Sequence, residues 1–283
     1  MSDKLINNGN IQNRFSADCE KCFGLCCVAL PYAKSADFAF NKDGGTPCRN
    51  LQADYRCGIH KDLRNNGFRG CTVYECFGAG QKISQVTYNG EDWRDNPTIA
   101  KEMFDVFPIM QQLHEMLYYL NEALSLDDAQ PINKDLKKLV AETERLTRQD
   151  PKSLLDLHVP THRGFVNDLI LQTSELVRAK VKSNIEDNKQ SKVIRGKDLI
   201  GAKLRGASLR GYTLRGVLLI ASDLREADMR MTDLIGADFR DADLSGANLI
   251  GSIFLTQAQV NSANGDIKTK LPPSLKIPNH WLS

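Results

Sequence analysis

From Ile194 onward an apolar residue returns at every fifth position: Ile194, Leu199, Leu204, Leu209, Leu214, Leu219, Leu224, Met229, Leu234, Phe239, Leu244, Leu249 and Phe254. Neither the 3.6-residue period of a helix nor the 2-residue period of a strand generates that spacing. Two residues before many of these positions stands a small side chain, as at Ala202, Ala207, Ser222, Ala227, Ala237, Ala242, Ala247 and Ser252, and the residue between is often Asp or Asn. A strict short period predicts a solenoid in which each turn of chain stacks on the one before.

The segment resembles the pentapeptide-repeat family, whose motif is Ala-(Asp/Asn)-Leu-x-x. That resemblance implies a right-handed quadrilateral β-helix over residues 191–262, four pentapeptides per coil, with the central apolar and the small residue both turned inward. Tyr212 and Val217 replace the usual small residue, so an irregular face is expected near 212–220. Residues 263–283, with Pro272, Pro273 and Pro278, are expected to cap the open end of the solenoid.

All eight cysteines lie far upstream, within residues 18–95: Cys19, Cys22, Cys26, Cys27, Cys48, Cys57, Cys71 and Cys76. This stretch is rich in turn residues and poor in periodic apolar sequence, so it needs a metal or crosslinks to hold its fold. No secretory leader precedes it and no apolar run is long enough to cross a bilayer, which predicts a cytoplasmic address. In a reducing compartment clustered CxxC spacing favours metal over disulfides, and eight thiolates suit two closed four-cysteine sites or one iron–sulfur cluster with four thiols left over. Cys26 and Cys27, read as neighbours in an extended segment, point to opposite sides, so either they serve different centres or one of them is only packed. His60, three residues after Cys57, is a candidate ninth ligand or a donor to a ligand.

Cys19, Cys22, Cys26 and Cys27 resemble the zinc- or iron-chelating CxxCxxCC domain family, to which flagellin lysine N-methylase belongs, with three residues instead of two before the pair. Cys-Phe-Gly-Leu-Cys-Cys at 22–27, Gly-Thr-Pro-Cys at 45–48, Arg-Cys-Gly-Ile-His at 56–60 and Cys-Phe-Gly-Ala-Gly-Gln at 76–81 resemble a bacterial group in which such a head precedes a pentapeptide-repeat end. The resemblance implies metal binding. For methyl transfer it offers no glycine-rich strand–turn–helix, because Gly78-Ala79-Gly80 follows no apolar strand.

Residues 96–190 show helical spacing. Met110, Leu113, Leu117, Leu120 and Leu124 form one stripe, Leu136, Leu139, Val140, Thr143 and Leu146 a second, and Val166 to Val181 a third. Three helices and a short one near Leu154–His158 are expected, with Pro108, Pro131, Pro151 and Pro160 at their edges. Met103, Phe104, Phe107, Met116, Tyr118 and Tyr119 read as core, and His114 and His158 as structural histidines; His162 and His280 carry no ligand spacing. Residues 1–17 read as a polar arm.

The architecture expected is therefore multidomain α and β: a cysteine-rich metal-binding head, a helical middle and a β-helix. Its function is expected to be that of a zinc- or iron-binding regulatory protein whose repeats serve as a scaffold for a protein partner. The alternative is a metal- or cluster-dependent enzyme that modifies a protein or peptide. Some pentapeptide-repeat proteins mimic DNA against gyrase, but residues 192–256 carry ten Lys/Arg against eight Asp/Glu, unlike a duplex, whose charge is wholly negative. Nucleic acid and membrane are not expected partners. Ile200 and Ile220, with Leu218 nearby, form an outer apolar stripe expected to dock the helical segment.

Overall fold

A computed structural model describes residues 14–182 and 198–282. The first residues of the arm, and Ile194, Lys192, Arg195 and Lys197 of the repeat, lie outside them. The chain forms two compact units, one from Met1–Leu126 and Gln130–Ile170, the other from Asp127–Ala129 and Leu171–Ser283.

In the first unit the helical stripes become α4 (Pro97–Ser125), α5 (Asn133–Leu146) and α6 (Pro151–Leu155), with α7 (Val159–Lys182) beginning here. Met103, Val106, Phe107, Met110, Leu113, Met116 and Leu120 of α4 are buried and form its core, with Leu136, Leu154 and Ile170. Pro108 stands inside α4 rather than at an edge. An interior proline costs about 3 kcal/mol, and the buried residues on either side of it outweigh that; Gln112 Nε2 meanwhile donates to the Pro108 carbonyl (3.1 Å). Thr143 donates to Leu139 O (2.7 Å), leaving its oxygen to accept from His162 Nε2 (2.8 Å). Both histidine and threonine are thereby satisfied within the core.

The cysteine segment folds around rings that carry no periodic signal. Tyr32 stacks on Phe38 (4.4 Å between centroids), and Phe68 meets Tyr32, Phe38 and Phe40 edge-on. Two short helices, α1 (Leu25–Ala29) and α2 (Arg69–Thr72), and α3 (Ala79–Lys82), which runs into a π-helical turn at Ile83–Thr87, carry or flank the thiols. Isolated antiparallel bridges join Tyr32 to Lys42 and Leu51 to Cys57.

In the second unit the expected quadrilateral β-helix is corrected: among the described residues no β-strand is formed. The repeat is a coil of tight turns tied by isolated parallel bridges, Asp198 to Leu218, Lys203 to Asp223 and onward to Asp233 with Ile253, each reaching twenty residues ahead. The reason is local. Each pentapeptide spends two residues on a turn, closed for instance by Ala202 N–H to Leu199 O (3.0 Å). One residue in five is left to bridge, and a strand needs consecutive bridges. The second of the two turn residues has positive φ, supplied by Gly201, Gly206, Gly211 and Gly216 but also by Ala221, Glu226, Met231 and Asp241. The Asp or Asn of the motif accepts the N–H two residues on, as Asp228 does from Arg230 (3.2 Å), which fixes the turn from its own side chain.

The fifth-position residues from Leu199 to Leu249 share one buried core with the small positions Ala207, Ala227, Ala237, Ala242 and Ala247. The irregularity expected at 212–220 is absent: Thr213 bridges to Asp233 and Leu218 to Asp238 in unbroken register, with Val217 buried and Tyr212 half-buried. After the last coil, α8 (Gln257–Ser262) opens with a capping box between Thr256 and Gln259. The tail closes the core: Leu249 N–H donates to Lys270 O (2.8 Å), and Trp281 is buried with its Nε1 donating to Ala263 O (2.9 Å). The end of α7 meets this coil where Val181 covers Gly211, and Ile200 is exposed.

Candidate metal centre

Every cysteine is free, and the fold gathers them around Cys26. Cys19, Cys22, Cys57, Cys71 and Cys76 each lie close enough to Cys26 for their charges to interact. Cys48 stands in the same relation to Cys57 and Cys71. Cys27 joins the group directly, its sulfur 3.9 Å from that of Cys26. This corrects the extended reading of the pair. Leu25–Ala29 is a turn of helix, so successive side chains diverge by about 100° rather than 180°.

Local backbone serves the sulfurs. The N–H groups of Gly24 and Leu25 and the Ser84 hydroxyl face Cys22, that of Ile59 faces Cys57, and those of Gly78 and Gly80 face Cys76. Such N–H···S contacts stabilise thiolate and orient it. Tyr32 donates its hydroxyl to Cys48 (3.3 Å). Gly80 has a steric role, since a Cβ there would stand 2.6 Å from the Cys22 sulfur. That accounts for the second glycine of Gly78-Ala79-Gly80 without a phosphate.

Burial, reinforced by neighbouring sulfurs, pushes the thiols up: Cys19 to about 11, Cys71 and Cys76 to about 12. Cys26 rises too, chiefly through its contact with Cys27. Without a cation these groups stay protonated and weakly nucleophilic, unlike a catalytic cysteine held low by positive neighbours. One cation is built in. The Lys42 side chain is buried, and its ammonium donates to the carbonyls of Val28 (3.0 Å), Asp43 (3.1 Å) and Thr46 (2.9 Å). Burial lowers its pKa, while the charges of Cys48, Cys27 and Cys26 act to hold it protonated.

Among the described residues no three His, Cys, Asp or Glu side chains come together tightly enough to hold a metal ion as they stand. His60 sits on an exposed 3₁₀ turn, His60–Asp62. The donor set nonetheless has the chemistry of zinc or iron–sulfur ligation, all soft sulfur. The Cys26–Cys27 separation is near the ~3.8 Å edge of a tetrahedron with zinc–sulfur bonds of about 2.3 Å.

Comparison with known proteins places the chain as a whole. It is 68% identical over 281 residues to YybG of Bacillus subtilis (strain 168), an uncharacterized protein, covering 99% of this chain and all of that one. The pentapeptide-repeat family matches residues 218–254 as eight copies. The chain is a pentapeptide-repeat protein of the YybG family. The matched copies coincide with the turns whose Asp–Arg pairs lie outermost, Asp223 with Arg225, Asp228 with Arg230 and Asp238 with Arg240. Arg225 holds the Asp223 carboxyl down at about 2. Among the described residues no helix is long and apolar enough to cross a membrane.

Sequence reasoning missed Lys42, whose only signal was a lysine in a glycine-rich turn. It also missed the aromatic cluster, because four rings at irregular spacing leave no period to read.

Proposed function

We propose that this pentapeptide-repeat protein carries a thiolate metal centre for zinc or iron, and that its coil serves as a scaffold for a protein partner. The supporting observation is that six free thiols interact with Cys26 and Cys48 interacts with two of those six, with N–H groups aimed at Cys22, Cys57 and Cys76 and the Lys42 ammonium buried beside them. A cluster of protonated thiols gains little from an adjacent buried cation; a cluster of thiolates compensates it. The residues that would hold metal are Cys19, Cys22, Cys26, Cys27, Cys48, Cys57, Cys71 and Cys76. When bound, the ion would supply a crosslink among the loops and short helices that carry the thiols. Lys42 then offsets the negative charge, and the backbone N–H groups fix the sulfurs. The coil offers a rigid surface with exposed Ile200 and Ile250.

Binding must displace thiol protons. Titrating the chelator-treated, reduced chain with zinc or with iron(II) and sulfide in weak buffer is expected to release protons and to raise the melting temperature of the first unit. An unchanged melting curve with no proton release would falsify the proposal.

A further inference from the structure

On the α3 surface that bears Gln81 and Lys82, a cavity of about 340 Å³ opens, lined by Arg14, Lys21, Lys82 and Arg148 with Glu144 as its one acid. Glu144 is shared between two of these cations: it pairs with Arg14 and lies 3.5 Å from Arg148. Lys21 pairs with Asp18 at 3.2 Å. Among the described residues the half-buried Lys82 side chain has no hydrogen bond and no ion pair, beyond the attraction of the Glu144 charge. Burial, then the charges of Arg148 and Arg14, pushes its pKa down, so the free protein holds this ammonium at a cost. Four cations set against Glu144 and the Asp18 that pairs with Lys21 leave a local excess of about two positive charges, more than a monocarboxylate neutralises. Guanidinium groups pair two N–H donors with a phosphate, and lysine adds a point charge. Phe15, Leu117 and Val86 supply apolar wall, and the volume is at the small end for ligand pockets.

We propose that this cavity binds a small organic phosphate carrying two or three negative charges, with Lys82 and Arg148 as its principal contacts. No cysteine lines it.

The test is calorimetric titration of the full chain with inorganic pyrophosphate, repeated on Lys82→Met, Arg148→Ala and, as a control for general charge, Lys61→Ala, an exposed lysine outside the cavity. Saturable one-to-one binding is expected, weakened roughly tenfold or more in Lys82→Met and Arg148→Ala, as loss of a charge-assisted hydrogen bond implies, and unchanged in Lys61→Ala. Lys82→Met removes an ammonium that burial and the charges of Arg148 and Arg14 disfavour, so its melting temperature without ligand should equal or exceed that of the parent. Absence of saturable binding, or equal weakening in all three variants, overturns the assignment.

Discussion

Gly80 and His114 are single residues with measurable consequences. At Gly80 any β-carbon collides with the sulfur of Cys22, a short side chain with little room to swing. Gly80→Ala is expected to destabilise the first unit by about 1–3 kcal/mol, the range for overpacking, read as a lowered urea midpoint. His114 is buried, its Nδ1–H donates to Phe77 O (2.8 Å), and its pKa is pushed down to about 4, mainly by burial. Its folded pKa lies below the ordinary 6.5, so the unfolded chain binds the proton more readily. The stability it contributes is fully present above pH 6.5 and is lost as pH falls from 6.5 to 4, by roughly 3 kcal/mol. Comparing the parent with His114→Gln isolates that contribution from any pH effect of the thiols. The variant should lack this part of the slope between pH 6.5 and 4; parallel slopes would show that His114 is not buried neutral.

At the scale of elements, the coil depends on the residue with positive φ in each turn. Gly211 combines a φ of +74° with Val181 2.9 Å from where a Cβ would stand, so Gly211→Ala should cost more than the ~1–2 kcal/mol of the left-handed conformation alone. Met231 pays that conformational cost already, at φ 54°, and Met231→Gly should be neutral or stabilising. Opposite shifts in thermal midpoint for the two variants are the expected result. The Arg–Asp pairs on the surface contribute less. Arg230→Ala should change stability by no more than about 1 kcal/mol, whereas Asp228→Ala also removes the acceptor of the Arg230 N–H and should cost more.

These elements show what the sequence made legible. The five-residue register identified the repeat because its cause, an inward apolar residue at Leu199, Leu204 and each fifth position after, is itself periodic. The helical stripes located α4 and α5 for the same reason. Pro108 was misplaced because tertiary burial of Phe107 and Met110 overrides a local rule. The β-helix was overstated because a family resemblance names a path of chain, while strand formation depends on how many residues each turn leaves free to bridge. At the thiols, the sequence shows that eight cysteines cluster between Cys19 and Cys76. The direction of their side chains was not legible, because the Cys26–Cys27 geometry depends on whether Leu25–Ala29 is helical or extended.

Over the whole chain, the coil has one continuous apolar core from Leu199 to the Trp281 cap, whereas the cysteine segment has a small core of rings with Leu25, Val28, Leu63 and Ile83. Removal of metal should therefore lower the stability of the first unit and leave the second unchanged, visible as splitting or broadening of a calorimetric transition after chelation. The central claim is that the eight thiols hold zinc or iron. It is tested most directly by elemental analysis of protein purified without oxygen, paired with thiol titration of the same sample after unfolding and metal removal. The account predicts at least one zinc or iron per chain and eight titratable thiols. Less than one metal per chain, or fewer than eight thiols because some are joined as disulfides, would contradict it.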